Sequence, residues 1–277
     1  MTAARIAKPI APAEARKSAI ARSFDAAALT YDSHAPVQRR AARELANRIA
    51  KIQMPEGAKI LEIGCGTGFL SAALCARFGA TNCLFTDLAP AMTRRCGVKL
   101  ARRGKVSLAV MDGELPAVGP VFDLVASSFA FQWFFDLPSA ISGLAACLRP
   151  GGSLAFATLG TESLAEWREL HDRAGLDFAG LRLPGHGELL RMAHRAGLVG
   201  SISEEKIKRR YPSALAFLQE LKSLGATAPT GRAPGASQLR SLLRQAEDGF
   251  TVTYHVLYGC FAAPGAVGPG VFGSGAE

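Results

Sequence analysis

Apolar residues fall at every fourth position through Val37, Ala41, Leu45 and Ile49. That spacing gathers them on one stripe and predicts an amphipathic helix over 36–52, with Pro36 in the first turn, where a missing N–H costs nothing. Past this helix the pattern changes to short apolar runs near 59–63, 82–86, 106–110, 121–127 and 153–158, separated by stretches of helical length. Their alternation with helices predicts a doubly wound, mostly parallel α/β sheet. Beyond residue 160 the pattern predicts a helix over 163–173, a loop holding Pro184 and Gly185, a helix over 188–196 and a strand over 200–208. A helix over 215–224, a loop rich in Gly, Pro and Thr over 225–236, a helix over 238–247 and an alternating strand over 250–261 follow, making seven strands in all.

With 277 residues, 49% of them hydrophobic, the chain is long and apolar enough for one enzyme-sized domain, expected over 23–263. No apolar run approaches the ~18 uninterrupted residues that span a bilayer, so no membrane partner is expected. Residues 1–22 are rich in Ala, Arg and Lys and lack the apolar centre of a secretory signal; they are expected to be flexible, although a mitochondrial presequence has a similar composition. The Gly-rich stretch 264–277 is expected to be flexible as well. The 6 cysteines form no C-x-x-C pair, which implies neither a zinc site nor a disulfide framework and fits a reducing cytoplasm. His34, His171, His186, His194 and His255 show no metal-ligand spacing, so no metal is expected and all are read as structural or surface residues.

Charge narrows the partner. Between Lys206 and Arg244 stand Lys206, Lys208, Arg209, Arg210, Lys222, Arg232, Arg240 and Arg244 against the single acid Glu220, so this segment holds +7 of the net +9. Such a patch speeds encounter with an acidic macromolecule, or is simply a solvated basic face. Nucleic acid is not expected, because no stacking aromatics are interleaved with the basic residues.

The candidate chemistry centres on Leu61-Glu62-Ile63-Gly64-Cys65-Gly66-Thr67-Gly68, where an apolar run breaks into alternating glycines before a helical pattern resumes. A strand-to-helix turn of glycines brings bare backbone N–H groups against a ligand. The spacing differs from the dinucleotide fingerprint, and the acid Glu62 would repel a pyrophosphate but suits an ammonium group. Asp87 ends the second apolar run, where a carboxylate can meet ribose hydroxyls or cap the following helix. Asp112, in Met111-Asp112-Gly113-Glu114, can accept from an adenine amino group or cap its own turn. With the strand Phe122 to Ser128 and the turn Leu148-Arg149-Pro150-Gly151-Gly152, this ordered set resembles the class I S-adenosylmethionine-dependent methyltransferases over about 58–160. The resemblance implies a Rossmann-like fold with an antiparallel C-terminal strand, and S-adenosylmethionine as cofactor.

Flanking segments narrow the likeness. Ser23-Phe24-Asp25-Ala26-Ala27-Ala28-Leu29-Thr30-Tyr31-Asp32, with Gln38 shortly after, Gln132-Trp133, Leu221-Lys222-Ser223-Leu224-Gly225-Ala226 and the close Thr253 to Gly259 resemble the malonyl-acyl-carrier protein O-methyltransferases of biotin synthesis. Residues 181–187 and 235–244 depart from that family's pattern, which bears on substrate more than on cofactor. The resemblance implies a helical lid over 23–55, a cofactor-binding core over 58–160 and a substrate- and carrier-facing part over 161–263. It implies cofactor contacts from Gln38, Glu62, Gly64, Gly66, Gly68 and Asp87, joined by Leu88, Met92, Asp112, Gly113 and Ser128. Tyr31, Gln132 and Trp133 would position the reacting groups, with no acid/base pair, since a malonyl carboxylate is ionised at neutral pH. Arg209, Arg210 and Lys222 would meet the malonyl carboxylate or an acidic acyl-carrier protein, and a monomer is expected. Methylation of a quinone precursor, or a non-methylating role in respiratory-complex assembly, stays open at this point.

Overall fold

A computed structural model describes residues 13–227 and 234–265. The expectations for residues 1–12, for Arg232 with the rest of 228–233, and for the tail from 266 onward lie outside the described residues.

Among the described residues, the expected seven strands form one sheet: β1 (Ile60–Ile63), β2 (Cys83–Asp87), β3 (Ser107–Val110), β4 (Phe122–Ser128), β5 (Leu148–Leu159), β6 (Val199–Tyr211) and β7 (Phe250–Ala262). Their order is β3-β2-β1-β4-β5-β7-β6. The pairs among β1 to β5 are parallel, and β7 runs antiparallel to both β5 and β6. The order reverses between β1 and β4, so a crevice opens at the carboxyl ends of these two strands, where ligands bind in open α/β sheets.

Helices cover both faces. On one side lie α3 (Pro36–Ile49), α4 (Phe69–Phe78) and α5 (Pro90–Leu100), with Leu45, Ile49, Leu70 and Phe85 fully buried in a shared core. On the other, α6 (Leu137–Ala146) and α8 (His186–Arg195) close a second core around Ile141, Leu189, Phe156 and Phe261. The remaining helices are α1 (Ala13–Ala27), the single turn α2 (Tyr31–His34), α7 (Ala165–Arg173), α9 (Ala214–Ser223) and α10 (Ala236–Arg244).

Three expectations are corrected. The terminus read as flexible to residue 22 is helical from Ala13, because Ile20 and Ala27 of α1 are buried and Lys17 finds acidic partners. The turn at 150–152 lies within β5, which begins at Leu148 and absorbs the Pro-Gly-Gly run as an irregularity opposite Phe122 and Leu124. β6 runs to Tyr211, past the expected 208, since it pairs with β7 continuously from Val199↔Ala262 to Tyr211↔Phe250. No helix among the described residues is long and apolar enough to cross a membrane.

Candidate active site

The glycine loop follows β1 directly, and each glycine has its own reason. Gly64, at φ +69°, lets the loop approach the segment after β4, since a Cβ there would sit 2.5 Å from Ala130 Cβ. Gly66, at φ +53°, faces open space, so a side chain there would enter the crevice rather than the protein. Gly68 has a different task from the expected ligand contact: it caps α4, and a Cβ would lie 3.0 Å from Cys96 Sγ.

Around this loop the fold gathers a cavity of about 90 Å³. Ten of the expected residues line it: Tyr31, Gly64, Gly66, Asp87, Leu88, Met92, Asp112, Gly113, Ser128 and Trp133. Asp87 accepts from the backbone N–H of Gly66 at 2.9 Å and of Ala89 at 2.8 Å, which fixes the loop against the end of β2. Burial nevertheless raises its carboxyl to about 6. Asp112 lines the cavity and caps its own turn, one oxygen accepting from Glu114 N–H at 3.0 Å while the other accepts from Lys17 Nζ at 2.7 Å. The lining has the features a nucleoside needs, although the closed space is smaller than one: a part-buried carboxylate stands at the end of β2, Gly66 leaves room on its side, and the backbone at Gly113 packs so closely that a Cβ would clash with Ile63 at 2.1 Å.

Glu62 is a correction. Alternation along β1 turns it away from the cavity, and its carboxylate accepts from Ser71 Oγ at 2.6 Å in full burial, which pushes its pKa well up. Gln38 and Gln132 also fall outside the first cavity. They line a second, adjoining chamber of about 420 Å³, which shares Phe24, Tyr31, Phe129 and Trp133 with the first. Gln132 is locked there, donating to Phe129 O at 2.7 Å and accepting from Thr158 Oγ1 at 3.1 Å. The rest of this chamber is mostly Leu, Phe and Trp from α7, α9 and the segment 178–183.

An aromatic group stands where the cavities meet. Phe24 meets Trp133 edge-on at 5.3 Å, and Tyr31 lies 6.3 Å from Phe69. Burial, with the Asp87 and Asp32 carboxylates nearby, raises the Tyr31 phenol, so it stays neutral. Asp32 ties this segment to the glycine loop, accepting from Thr67 Oγ1 at 2.5 Å and pairing with Lys99 at 2.8 Å. Burial alone would raise the Asp32 carboxyl, but these donors outweigh it and hold it below its ordinary value. Asp25, near the end of α1, accepts from Ala91 N–H at 2.6 Å and satisfies a free donor at the start of α5.

Neither cavity includes Arg209, Arg210 or Lys222. Arg209 pairs with Glu220 and lies over the Tyr211 ring, while Arg210 and Lys222 face solvent. Lys206 is also engaged, 2.7 Å from Glu162. That acid lies beside an ion-pair cluster in which Glu204 meets both His186 and buried His255.

Several lining residues escaped sequence reasoning. Lys17, Ile20 and Phe24 form one face of α1, a helical spacing open to detection. Phe129 and Leu164 hold φ +59°, a costly conformation for such residues, and both line the second chamber. Nothing in their identity announces it.

Residues 60–152 match a family model described as a methyltransferase domain. A malonyl-acyl-carrier protein O-methyltransferase of Magnetococcus marinus is 42% identical over 252 residues, covering 89% of this chain and 93% of that protein. The biotin biosynthesis bifunctional protein BioCD of Bordetella avium is 43% identical over 263 residues, which are 93% of this chain and 54% of that protein, so the chain spans about half of it. Among solved structures, the YcgJ protein of Bacillus subtilis shares the fold with a TM-score of 0.60 at 13% identity, covering 80% of this chain and 99% of that one. Sharing two-fifths of its positions with such an enzyme over nearly the whole length of both, the chain belongs to the malonyl-acyl-carrier protein O-methyltransferase family.

Proposed function

We propose that this chain transfers a methyl group from S-adenosylmethionine to the free carboxylate of a malonyl thioester borne on an acyl-carrier protein, forming the methyl ester that starts pimelate assembly for biotin. The observation that carries this reading is the pair of cavities sharing Phe24, Tyr31, Phe129 and Trp133: a cradle lined for a nucleoside and, against it, a larger apolar chamber.

When bound, S-adenosylmethionine supplies a methyl group activated by a sulfonium. Asp87 accepts ribose hydroxyls, Gly66 leaves space for the nucleoside, and Leu88, Met92, Asp112 and Gly113 frame its base. Tyr31, Trp133 and Phe24 would offer aromatic rings to a positive sulfur, a contact of about 0.5–2 kcal/mol each. Gln38 belongs to the substrate side, because it lines only the second chamber. Gln132 acts through the backbone it holds, keeping Phe129 and Trp133 in place. The acceptor carboxylate, with a pKa near ~4, needs no general base. Catalysis reduces to excluding water and aligning oxygen with carbon, and alignment of this kind can lower a barrier by ~7 kcal/mol or more.

The solvent-facing Lys208, Arg210, Lys222, Arg240 and Arg244 form the surface that receives an acidic carrier. The purified protein incubated with methyl-labelled S-adenosylmethionine and malonyl-acyl-carrier protein should yield a labelled ester that mild alkali releases as methanol. Label on a quinone precursor instead, or cofactor binding without transfer to any malonyl thioester, overturns the reading.

A further inference from the structure

The second chamber poses a charge problem. Its described walls are largely apolar, and Arg168 is the one permanently charged side chain among them. Arg168 stands on the stripe of α7 that also places Trp167 and His171 in the chamber, with Leu164 just before the helix. Its Nη2 donates to the carbonyls of Thr161 and Ser163, which moors the side chain, and the guanidinium lies 5.5 Å from the Phe178 ring centroid. Arg40, Arg48, Arg149, Arg182 and Arg209 each pair with a carboxylate, whereas Arg168 has no acidic partner among the described residues. The mooring uses one of its three nitrogens, leaving the N–H groups of Nε and Nη1 for an incoming group. A guanidinium facing apolar walls gains most from a planar anion that accepts two parallel hydrogen bonds.

We infer that Arg168 binds the free carboxylate of the malonyl group, holding it in the chamber beside the shared aromatic wall. The inference deepens the reading above and rests on it. Arg168 takes the task that Arg209, Arg210 and Lys222 cannot perform, since none of them lines a cavity. In the transfer, one carboxylate oxygen forms a bond to the methyl carbon as the carbon–sulfur bond breaks, and the electron pair of that bond stays on sulfur as a neutral thioether. The guanidinium neither gains nor loses a proton. Once esterified, the acyl group has no charge to pair, so the contact that admits the substrate weakens on its product. An acetyl thioester, with no carboxylate, is likewise not held.

Malonyl-N-acetylcysteamine, which has neither carrier nor phosphate, tests this together with its methyl ester, using wild type, R168M and R168K. For R168M the KM for the malonyl compound should rise on the order of 10- to 100-fold, with kcat falling less. Affinity for the methyl ester, cofactor affinity and melting temperature should stay at wild-type values, and R168K should recover part of the loss. If R168M does not fold, R168K alone decides, with a raised KM for the malonyl compound and unchanged binding of the ester. Wild-type kinetics in the substituted enzyme overturn the inference while leaving the proposed reaction standing. A loss confined to carrier- or coenzyme-A-linked substrate would assign Arg168 to the phosphate and overturn it too. A wild-type enzyme inert toward every malonyl thioester would overturn the underlying reading as well.

Discussion

At the scale of single residues, the site depends on two positions whose roles are physically distinct. Gly66 has a left-handed φ of +53° with empty space before it. Gly66→Val should therefore both strain the loop, at about 1–3 kcal/mol, and obstruct the ligand. Calorimetry should find no measurable cofactor binding, and unchanged affinity would remove this loop from the site. Asp87 depends on pH. Its carboxyl rises from 3.8 to about 6 on folding, so the folded protein holds the proton more tightly than the unfolded chain. The stability this contributes is complete below the unfolded pKa and is lost as pH rises through about 6. Ribose hydroxyls donate to the ionised form, so cofactor affinity should move the other way, falling up to about tenfold per pH unit below the carboxyl's pKa. Asp87→Asn should flatten both profiles, and an unaltered affinity profile would show that another group controls binding.

Among the elements, α1 supplies one wall of the first cavity through Lys17, Ile20 and Phe24. Lys17 reaches from it across the cavity, lying 2.7 Å from Asp112 and 2.6 Å from Glu114. Burial alone would lower the Lys17 ammonium, but these two carboxylates outweigh it and hold its pKa above the ordinary value. Sites for ligands of this size enclose about 300–1,000 Å³, well above the roughly 90 Å³ here. For the proposed reaction, α1 would have to shift to admit the nucleoside and close again through Lys17. Lys17→Met should speed cofactor release roughly tenfold, since a part-buried pair is lost and Glu114 is left short of a donor. Stopped-flow displacement measures this, and an unchanged rate would make the pair merely structural. The helix α3 has a different task. Leu45 is fully buried between α4 and the sheet, so Leu45→Ala should cost ~2–5 kcal/mol in denaturant unfolding. Two glycines of the flanking signatures also find their reason here. A Cβ on Gly225 would lie 2.6 Å from Ser23 O at the end of α1, and one on Gly259 would lie 2.3 Å from the Phe156 ring.

For the molecule as a whole, charge and cavity lie apart: the basic residues of β6, α9 and α10 face outward, while the reaction is assigned to the crevice. Arg210→Glu with Lys222→Glu should reduce kcat/KM for carrier-linked substrate, most at low salt, and leave a short malonyl thioester almost unaffected. Equal losses on both substrates would show that this face does not receive the carrier. Much of the architecture was legible beforehand, because a strand or helix writes its period locally: the runs ending at Ile63, Asp87 and Ser128 became β1, β2 and β4, and Val37 to Ile49 became α3. The glycine loop, Asp87 and Asp112 were legible for the same reason, lying at strand ends whose place in such a sheet follows from their order. Side-chain direction was not. Glu62 and Gly66 are four residues apart, yet which of the two alternating faces of β1 lies under α4 is settled only in the folded sheet, and that turns the carboxylate inward to Ser71 while the glycine faces the crevice. Sequence by itself determined the layered sheet and the strand ends that place the glycine loop, Asp87 and Asp112 around one crevice. The second chamber, Arg168 within it and Lys17 across the first were decided by tertiary structure alone, because these groups come from segments distant in sequence, Lys17 and Asp112 being 95 positions apart, and meet only when β7 inserts between β5 and β6 and α1 folds back over the crevice.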